Sequence, residues 1–266
     1  FRREAALWAR FVHDNIVPLY GTTEGFGSTT ALVSPWFPDG TLLHLITEQG
    51  ATLTIRSKLK LFIFFTLNYA HSKIQSNILV DIQGGEYKAC LTDFGVSNVL
   101  GGPLKDRVVE GSTVRPGVIR WTAPELLRPH GNPADLKPTT QNDMYSYGRV
   151  MFHLLTLIIP WYDIDEHQVV QKILSGEEIP RPETSDATSH VTDARWSQIE
   201  QCWSVDPSAR PSALMAMDFL KIELEAVTDD VSSRLVLSRN CRVSHAHSTS
   251  LLARYTNIII SHPWTW

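Results

Sequence analysis

Two short polar stretches of the chain could carry chemistry. Asn77 opens the stretch "NILVD", and the triplet Asp93-Phe94-Gly95 begins 16 residues after it. The glycine pair at 84–85 between them predicts a hairpin that brings the two stretches together. An amide and a carboxylate both offer the oxygen ligands that hard cations prefer. The alternative interpretation is a pair of turn residues that cap a hairpin.

Further motifs follow in order along the chain. After a long polar loop come "APE" at residues 123–125, "DMYSYG" from Asp143, "PW" from Pro160 and "CWSVDPSARPS" from Cys202. In this order and spacing the sequence resembles the eukaryotic protein kinase superfamily, in its tyrosine-kinase-like branch, from Phe1 to about Val227. The resemblance implies an α+β fold of two lobes. It also implies ATP-dependent phosphorylation of Ser, Thr or Tyr hydroxyls in a protein substrate.

The resemblance assigns a site for ATP and Mg²⁺. It places Asn77 and Asp93 as the Mg²⁺ ligands, because phosphoryl transfer develops charge that bound metal ions neutralise. The stretch "TALVSPWFPDGTL" resembles the strand and hinge that receive adenine. Ser34 is then the gatekeeper, and the backbones of Pro35 and Phe37 face the adenine edge. Core packing is the alternative role for Phe37.

Other residues match the family's nucleotide pocket and regulatory helix. Leu79 is expected to form the floor of the pocket. The first residues resemble the regulatory helix, in which Glu4 is the ion-pairing glutamate. Trp8 and Leu19 are expected in its apolar spine, and Phe94 has a structural role beside them.

Three residues resemble the scaffold of the family's larger lobe. Glu125 and Arg210 are expected to form a buried ion pair between the end of the activation segment and the C-terminal helices. Loss of one partner of such a pair costs roughly 3–5 kcal/mol. Asp143 resembles the carboxylate that braces the catalytic loop, although a helix N-terminal Asp that is favoured by the helix dipole explains it as well.

The catalytic loop of the family is missing. The family pattern H-R-D-x-x-x-x-N places the general base five positions before the asparagine, where this chain has Ser72. The stretch "LNYAHS" resembles the helix before that loop, so His71 belongs to the helix and about eight residues are absent. The strand lysine and the Gly-rich loop would lie before Phe1. "GFGSTT" from Gly25 follows the helix and is better explained as a hairpin turn.

The elements that position these residues can be read from periodicity. Residues 2–12 predict an amphipathic helix, 15–37 a hairpin, 41–50 and 55–71 helices, and 77–94 two strands. Four helices follow Asn142, the last with Pro211 in its first turn and Ser208 as a cap. We expect a kinase-like domain at 1–227, with a reduced N-lobe at 1–36 and a C-lobe at 37–227. Residues 228–266 are expected to form a poorly ordered tail.

Composition restricts the class of partner. The formal net charge is −4, which gives no indication of a nucleic-acid partner. Three cysteines without CxxC spacing favour a reducing compartment, so we expect a cytoplasmic protein with a protein substrate or partner. No apolar run reaches the length of a membrane span.

Three interpretations stay open at this point. The first is a protein kinase whose sequence is truncated and internally clipped. The second is a non-catalytic pseudokinase that acts as a binding or scaffolding module. The third is an unrelated helical interaction domain.

Overall fold

The structure is a computed structural model that describes residues 5–6, 8–25, 30–66, 77–92, 118–128, 139–183, 190–237 and 258–261, with backbone only at 64–66, 83, 228–237 and 258–261. The described strands are β1 (Gly21–Thr23), β2 (Ala31–Pro35), β3 (Ile78–Gln83), β4 (Glu86–Leu91) and β5 (Ile258–Ser261). The described helices are α1 (Leu42–Gln49), α2 (Ile55–Thr66), α3 (Pro124–Leu127), α4 (Thr140–Thr156), α5 (Glu166–Ser175), α6 (Asp193–Cys202) and α7 (Ala213–Leu237). The architecture is α+β, with a small sheet followed by a mainly helical part, as the sequence predicted.

The first hairpin precedes the helical part. β1 pairs antiparallel with β2, with Gly21 opposite Val33, which confirms the predicted hairpin. β5 pairs antiparallel with the other edge of β2. Because Ala31 and Leu32 are buried, β2 is attached to the core through its side chains as well as through its ladder.

The second hairpin joins β3 to β4. Ile78 lies opposite Leu91, and Gln83 opposite Glu86. Gly84 and Gly85 form the turn with φ of 60° and 82°. A two-residue turn with φ positive at both positions matches the twist of the strands and favours glycine, so the sequence signal at this turn was reliable.

The helical core surrounds α4. Every residue of α4 from Met144 onward is buried. Gly148 allows α6 to approach, since a Cβ at that position would lie 2.7 Å from the Cβ of Cys202. Beside this crossing, the rings of Trp196 and Trp203 meet edge to face at 5.6 Å between centroids. Aromatic pairs of this geometry add to the stability that burial alone provides.

Helix α7 differs from its prediction at both ends. It begins at Ala213, and the Ser212 hydroxyl accepts a hydrogen bond from the Met215 amide at 3.3 Å. Ser212 is therefore the cap, whereas Ser208 lies in the short 3₁₀ turn before it. The helix continues to Leu237, ten residues past the domain boundary expected at Val227. Among the described residues, no helix is both long and apolar enough to cross a membrane.

Candidate functional site

The predicted hinge follows directly from β2. Ser34 is buried at 8% exposure, and Pro35, the last residue of the strand, is half-buried. Trp36 points outward at 49% exposure, whereas Phe37 packs against the main hydrophobic core. The Phe37 carbonyl accepts a hydrogen bond from the Gly40 amide at 3.2 Å, which turns the chain toward α1. The structure therefore places Ser34 and Pro35 at the end of β2 and Phe37 at the start of the turn that follows it.

The hinge turn is attached to strand β3. The Val80 amide donates to the Gly40 carbonyl at 2.9 Å, and the Ile82 amide donates to Asp39 Oδ2 at 3.0 Å. Thr41 also forms an isolated antiparallel bridge with Leu79. Leu79, the residue expected at the pocket floor, is half-buried beside this turn. The arrangement gives the two sides of the predicted adenine pocket a fixed separation.

Asn77 lies at the start of β3, opposite the end of β4. Its carbonyl accepts a hydrogen bond from the Thr92 amide at 2.9 Å. Asp93 follows Thr92 in the sequence but lies outside the described residues. The hairpin therefore brings Asn77 next to the residue that precedes Asp93, and the joint ligation of Mg²⁺ by Asn77 and Asp93 stays a prediction.

The other edge of β4 is bonded to the loop after the first helical turn. The Leu91 amide donates to the Asn15 carbonyl at 2.8 Å, and the Val17 amide donates to the Leu91 carbonyl at 2.9 Å. The Asn15 side chain donates to the Ala89 carbonyl at 3.1 Å, which satisfies a buried amide group. Strand β4 is thus bonded along both edges.

The predicted spine residues lie beside this loop. Trp8 is buried, and its indole Nε1 donates to the Val17 carbonyl at 2.5 Å. Leu19 is half-buried and packs against the same core. Glu4 and Phe94 lie outside the described residues, so the ion pair of Glu4 and the structural role of Phe94 stay predictions.

The structure brings Glu125 and Arg210 together. Arg210 Nη1 and Nη2 donate to Glu125 Oε1 and Oε2 at 2.7 and 2.9 Å. Arg210 also donates to the carbonyls of Ser204 and Gln141, both at 2.8 Å. Burial alone raises the pKa of the Glu125 carboxyl, but the hydrogen bonds and charge of Arg210 outweigh it and hold that pKa below its ordinary value. The pair is therefore charged at neutral pH and joins α3 to the start of α4 and the loop before α7.

Asn142 completes this ion pair and was missed by sequence reasoning. Its side-chain nitrogen donates to Glu125 Oε1, and its oxygen accepts from the Thr139 amide at 2.7 Å. Thr139 in turn accepts a hydrogen bond from the Asn142 amide and caps α4. The spacing Thr-x-x-Asn was the available signal, since it is a variant of the capping box.

Arg120 is a second residue that sequence reasoning missed. Its guanidinium donates to three carbonyls of the turn between α4 and α5, namely those of Pro160, Trp161 and Ile164, the last at 2.7 Å. The segment before α3 is thereby fixed to that turn. No sequence pattern indicates this contact, because its acceptors are backbone groups about 40 residues away.

Asp143 lies in the first turn of α4 and is half-buried. Its amide donates to the Thr139 carbonyl at 3.4 Å. Residues 72–76, which stand where the family has its catalytic loop, lie outside the described residues. The bracing role therefore stays a prediction.

Comparison with known proteins agrees with this geometry. Residues 1–220 match the protein kinase domain, so the chain belongs to the protein kinase family. The serine/threonine-protein kinase CTR1 of Arabidopsis thaliana is 29% identical over 237 residues, which are 83% of this chain and 26% of CTR1. The serine/threonine-protein kinase mos of Patiria pectinifera is 31% identical over 235 residues, which are 83% of this chain and 61% of mos. The chain thus spans less than two thirds of the length of either relative.

Proposed function

We propose that this chain is a protein kinase domain with a partial ATP site that does not transfer phosphate efficiently. One observation carries the proposal. Between His71 and Asn77 the sequence reads Ser-Lys-Ile-Gln-Ser and contains no carboxylate. The family pattern requires an Asp in that loop to accept the proton of the substrate hydroxyl.

No neighbouring side chain in that segment replaces the missing base. General acid–base catalysis contributes about 10²–10⁴ in rate. Ser72 is a poor proton acceptor, since its hydroxyl is neutral at pH 7. The family resemblance assigns His71 to the preceding helix and not to the loop that holds the base.

The sequence retains some residues that the family resemblance assigns to the nucleotide site. The resemblance assigns the main-chain groups of Pro35 and Phe37 to the adenine edge, and Leu79 lies in the strand that is bonded to the turn after Phe37. Asn77 stands at the hairpin end beside Thr92, and Asn77 and Asp93 have the oxygen donors that suit Mg²⁺. These residues would hold the metal, which neutralises phosphate charge when bound. Residues 1–36 contain no lysine that could hold the phosphates, so we expect weak nucleotide binding by a polypeptide of these 266 residues.

Three proteins test the proposal in a radiolabel transfer assay with a generic acceptor protein. They are the chain itself, the chain with "HGDLK" inserted between Ser72 and Asn77, and the inserted chain with N-lobe strands supplied. We expect transfer in the third protein alone. Transfer by the unmodified chain that disappears on Asp93→Ala would refute the proposal and indicate an unidentified proton acceptor.

A pseudokinase that acts as a binding or scaffolding module is the second candidate. The Glu125–Arg210 ion pair supports it, because this scaffold contact is formed although the sequence has no Asp between His71 and Asn77. The transcript separates this candidate from a clipped active kinase. cDNA that encodes an Asp-containing loop between codons 70 and 80 would support the active kinase. cDNA that matches the present sequence would support the pseudokinase.

A further inference from the structure

Arg149 carries a charge into the helical core. Its side chain is fully buried, and the guanidinium carbon lies over the ring of Trp203, 4.3 Å from the ring centre. Nη2 donates to the Tyr145 hydroxyl at 2.6 Å and to Glu178 Oε2 at 3.0 Å. Nε and Nη1 are buried and have no hydrogen-bond partner within the described part of the chain. Because a buried charge without a partner is costly, the position of Arg149 depends on Glu178, the one carboxylate with which it pairs among the described residues.

Tyr145 stands between this ion pair and the Glu125–Arg210 pair. The guanidinium carbon of Arg149 lies over the Tyr145 ring at 4.9 Å from its centre, and that of Arg210 lies over the same ring at 5.2 Å. A ring face attracts a cation at such distances. All three side chains are buried, so water screens neither contact. One buried ring thus contacts two buried arginines.

The two ends of this set of residues reach solvent. The side chain of Glu125 is 26% exposed and that of Glu178 is 33% exposed, whereas both arginine side chains are 0% exposed. Glu125 belongs to α3, and Glu178 follows α5, which ends at Ser175. A continuous line of contacts therefore joins two separate surface positions through the core. We call it the relay, and its members in order are Glu125, Arg210, Tyr145, Arg149 and Glu178.

The charges of the relay balance only while both carboxylates are ionised. Burial raises the pKa of the Glu178 carboxyl, the charges of Arg149 and Arg210 oppose that rise, and Glu200 adds a smaller rise. Arg210 therefore acts on Glu178 as well as on its own partner. If Glu178 loses its charge, Arg149 keeps a buried charge with no carboxylate beside it. The Tyr145 ring is then the group that contacts both this unpaired cation and Arg210.

We propose that the relay is a conformational device that couples the chain after α5 to the segment that contains α3. While Glu178 is charged, Arg149 holds the Tyr145 ring against Arg210, and Arg210 stays on Glu125. When Glu178 is neutralised or drawn away, Arg149 leaves its place, the ring loses its hydroxyl bond, and the contact with Glu125 loosens. The device is separate from the nucleotide site and does not depend on whether the chain transfers phosphate.

Amide hydrogen exchange on the whole chain, followed by mass spectrometry, tests the proposal. Glu178→Gln keeps the shape of the side chain and removes its charge. We expect exchange in residues 118–128 to accelerate by about fivefold or more relative to exchange in β3 and β4, which hold no member of the relay. Glu177→Gln is the matched control, because that carboxylate is 53% exposed and pairs with Lys172 at the surface. The control should leave the ratio of the two exchange rates unchanged.

Variants of Tyr145 locate the coupling. Tyr145→Leu removes the ring, so Glu178→Gln in that background should no longer change the ratio, whereas Tyr145→Phe keeps the ring and should keep part of the effect. If Tyr145→Leu does not fold, urea denaturation of Glu125→Gln, Glu178→Gln and the double variant replaces it. The unfolding equilibrium constant of the double variant should rise less than the product of the two single effects, by about fivefold.

Three results would overturn the proposal. The first is an unchanged exchange ratio in Glu178→Gln, and the second is an equal rise of the ratio in Glu177→Gln. The third is a double variant whose unfolding constant equals the product of the single effects, because the two carboxylates would then act independently.

Discussion

The guanidinium of Arg210 contacts the carboxylate of Glu125 through two parallel hydrogen bonds, although 85 residues separate them in the sequence. Arg210 is 3% exposed, and both of its terminal nitrogens are engaged. Such bidentate pairs fix orientation as well as charge. The contact therefore ties the segment that contains α3 to the C-terminal helices.

Removal of this carboxylate should be strongly destabilising. Glu125→Ala leaves the buried Arg210 charge without its carboxylate partner, so we expect the free energy of unfolding to fall by roughly 3–5 kcal/mol. Urea denaturation, monitored by tryptophan fluorescence, measures this free energy of unfolding. Asp193→Ala is the matched control, because it breaks an ion pair whose Asp193 side chain is 95% exposed. That control should cost less than about 1 kcal/mol, and equal losses in the two variants would contradict the structural role of Glu125.

The close crossing of α4 and α6 predicts an intolerance to any side chain at Gly148. A Cβ there would lie 2.7 Å from the Cβ of Cys202, so Gly148→Ala should destabilise the protein by about 1–3 kcal/mol despite the better helix propensity of alanine. Thermal denaturation checks the loss. The double variant Gly148→Ala/Cys202→Gly removes the closest contact, so its loss of stability should be smaller than the sum of the two single losses. If the loss of stability in the double variant equals the sum of the two single losses, the two positions are not coupled.

Stability should depend on pH through His153. Burial lowers the pKa of His153 from about 6.5 to about 4. Between these values the unfolded chain binds a proton that the folded chain does not, so stability falls as pH falls through this window. The loss should approach about 3 kcal/mol at pH 4. Urea denaturation from pH 7 to 4 should show a shallower decline in His153→Leu, and an unchanged slope would exclude His153 as the cause.

Nucleotide affinity should be low in the 266-residue chain. Residues 1–36 contain no lysine that could hold the phosphates, so a polypeptide of these 266 residues offers only the predicted hinge and Asn77. Calorimetric titration with Mg-ATP should give a dissociation constant well above 1 µM, that is, a binding free energy weaker than about −8 kcal/mol. Asn77→Ala should weaken Mg-ATP but not adenosine, because adenosine needs only the hinge. A sub-micromolar constant for the parent chain would contradict this account.

Local signals predicted the hairpins and the order of the helices, because glycine turns and apolar periodicity are short-range properties. The Glu125–Arg210 contact was also accessible, since it follows from a motif order that spans the chain. The contacts of Arg120 were not accessible. They depend on backbone carbonyls whose positions are set by packing between distant segments, and no spacing in the sequence records those.

The hydrogen bonds along both edges of β4 affect how this protein tolerates amino-acid substitutions. One continuous set of main-chain hydrogen bonds runs across β4. It includes the bonds of Leu91 to Asn15 and Val17, and the bond between Thr92 and Asn77. Substitutions other than proline leave the main-chain groups available, so a change at these positions alters side-chain packing and does not remove a main-chain hydrogen bond. The alignment between the first helical turn and Asn77 is therefore independent of the segment before Asn77, and a loop inserted there would enter a frame that is already set.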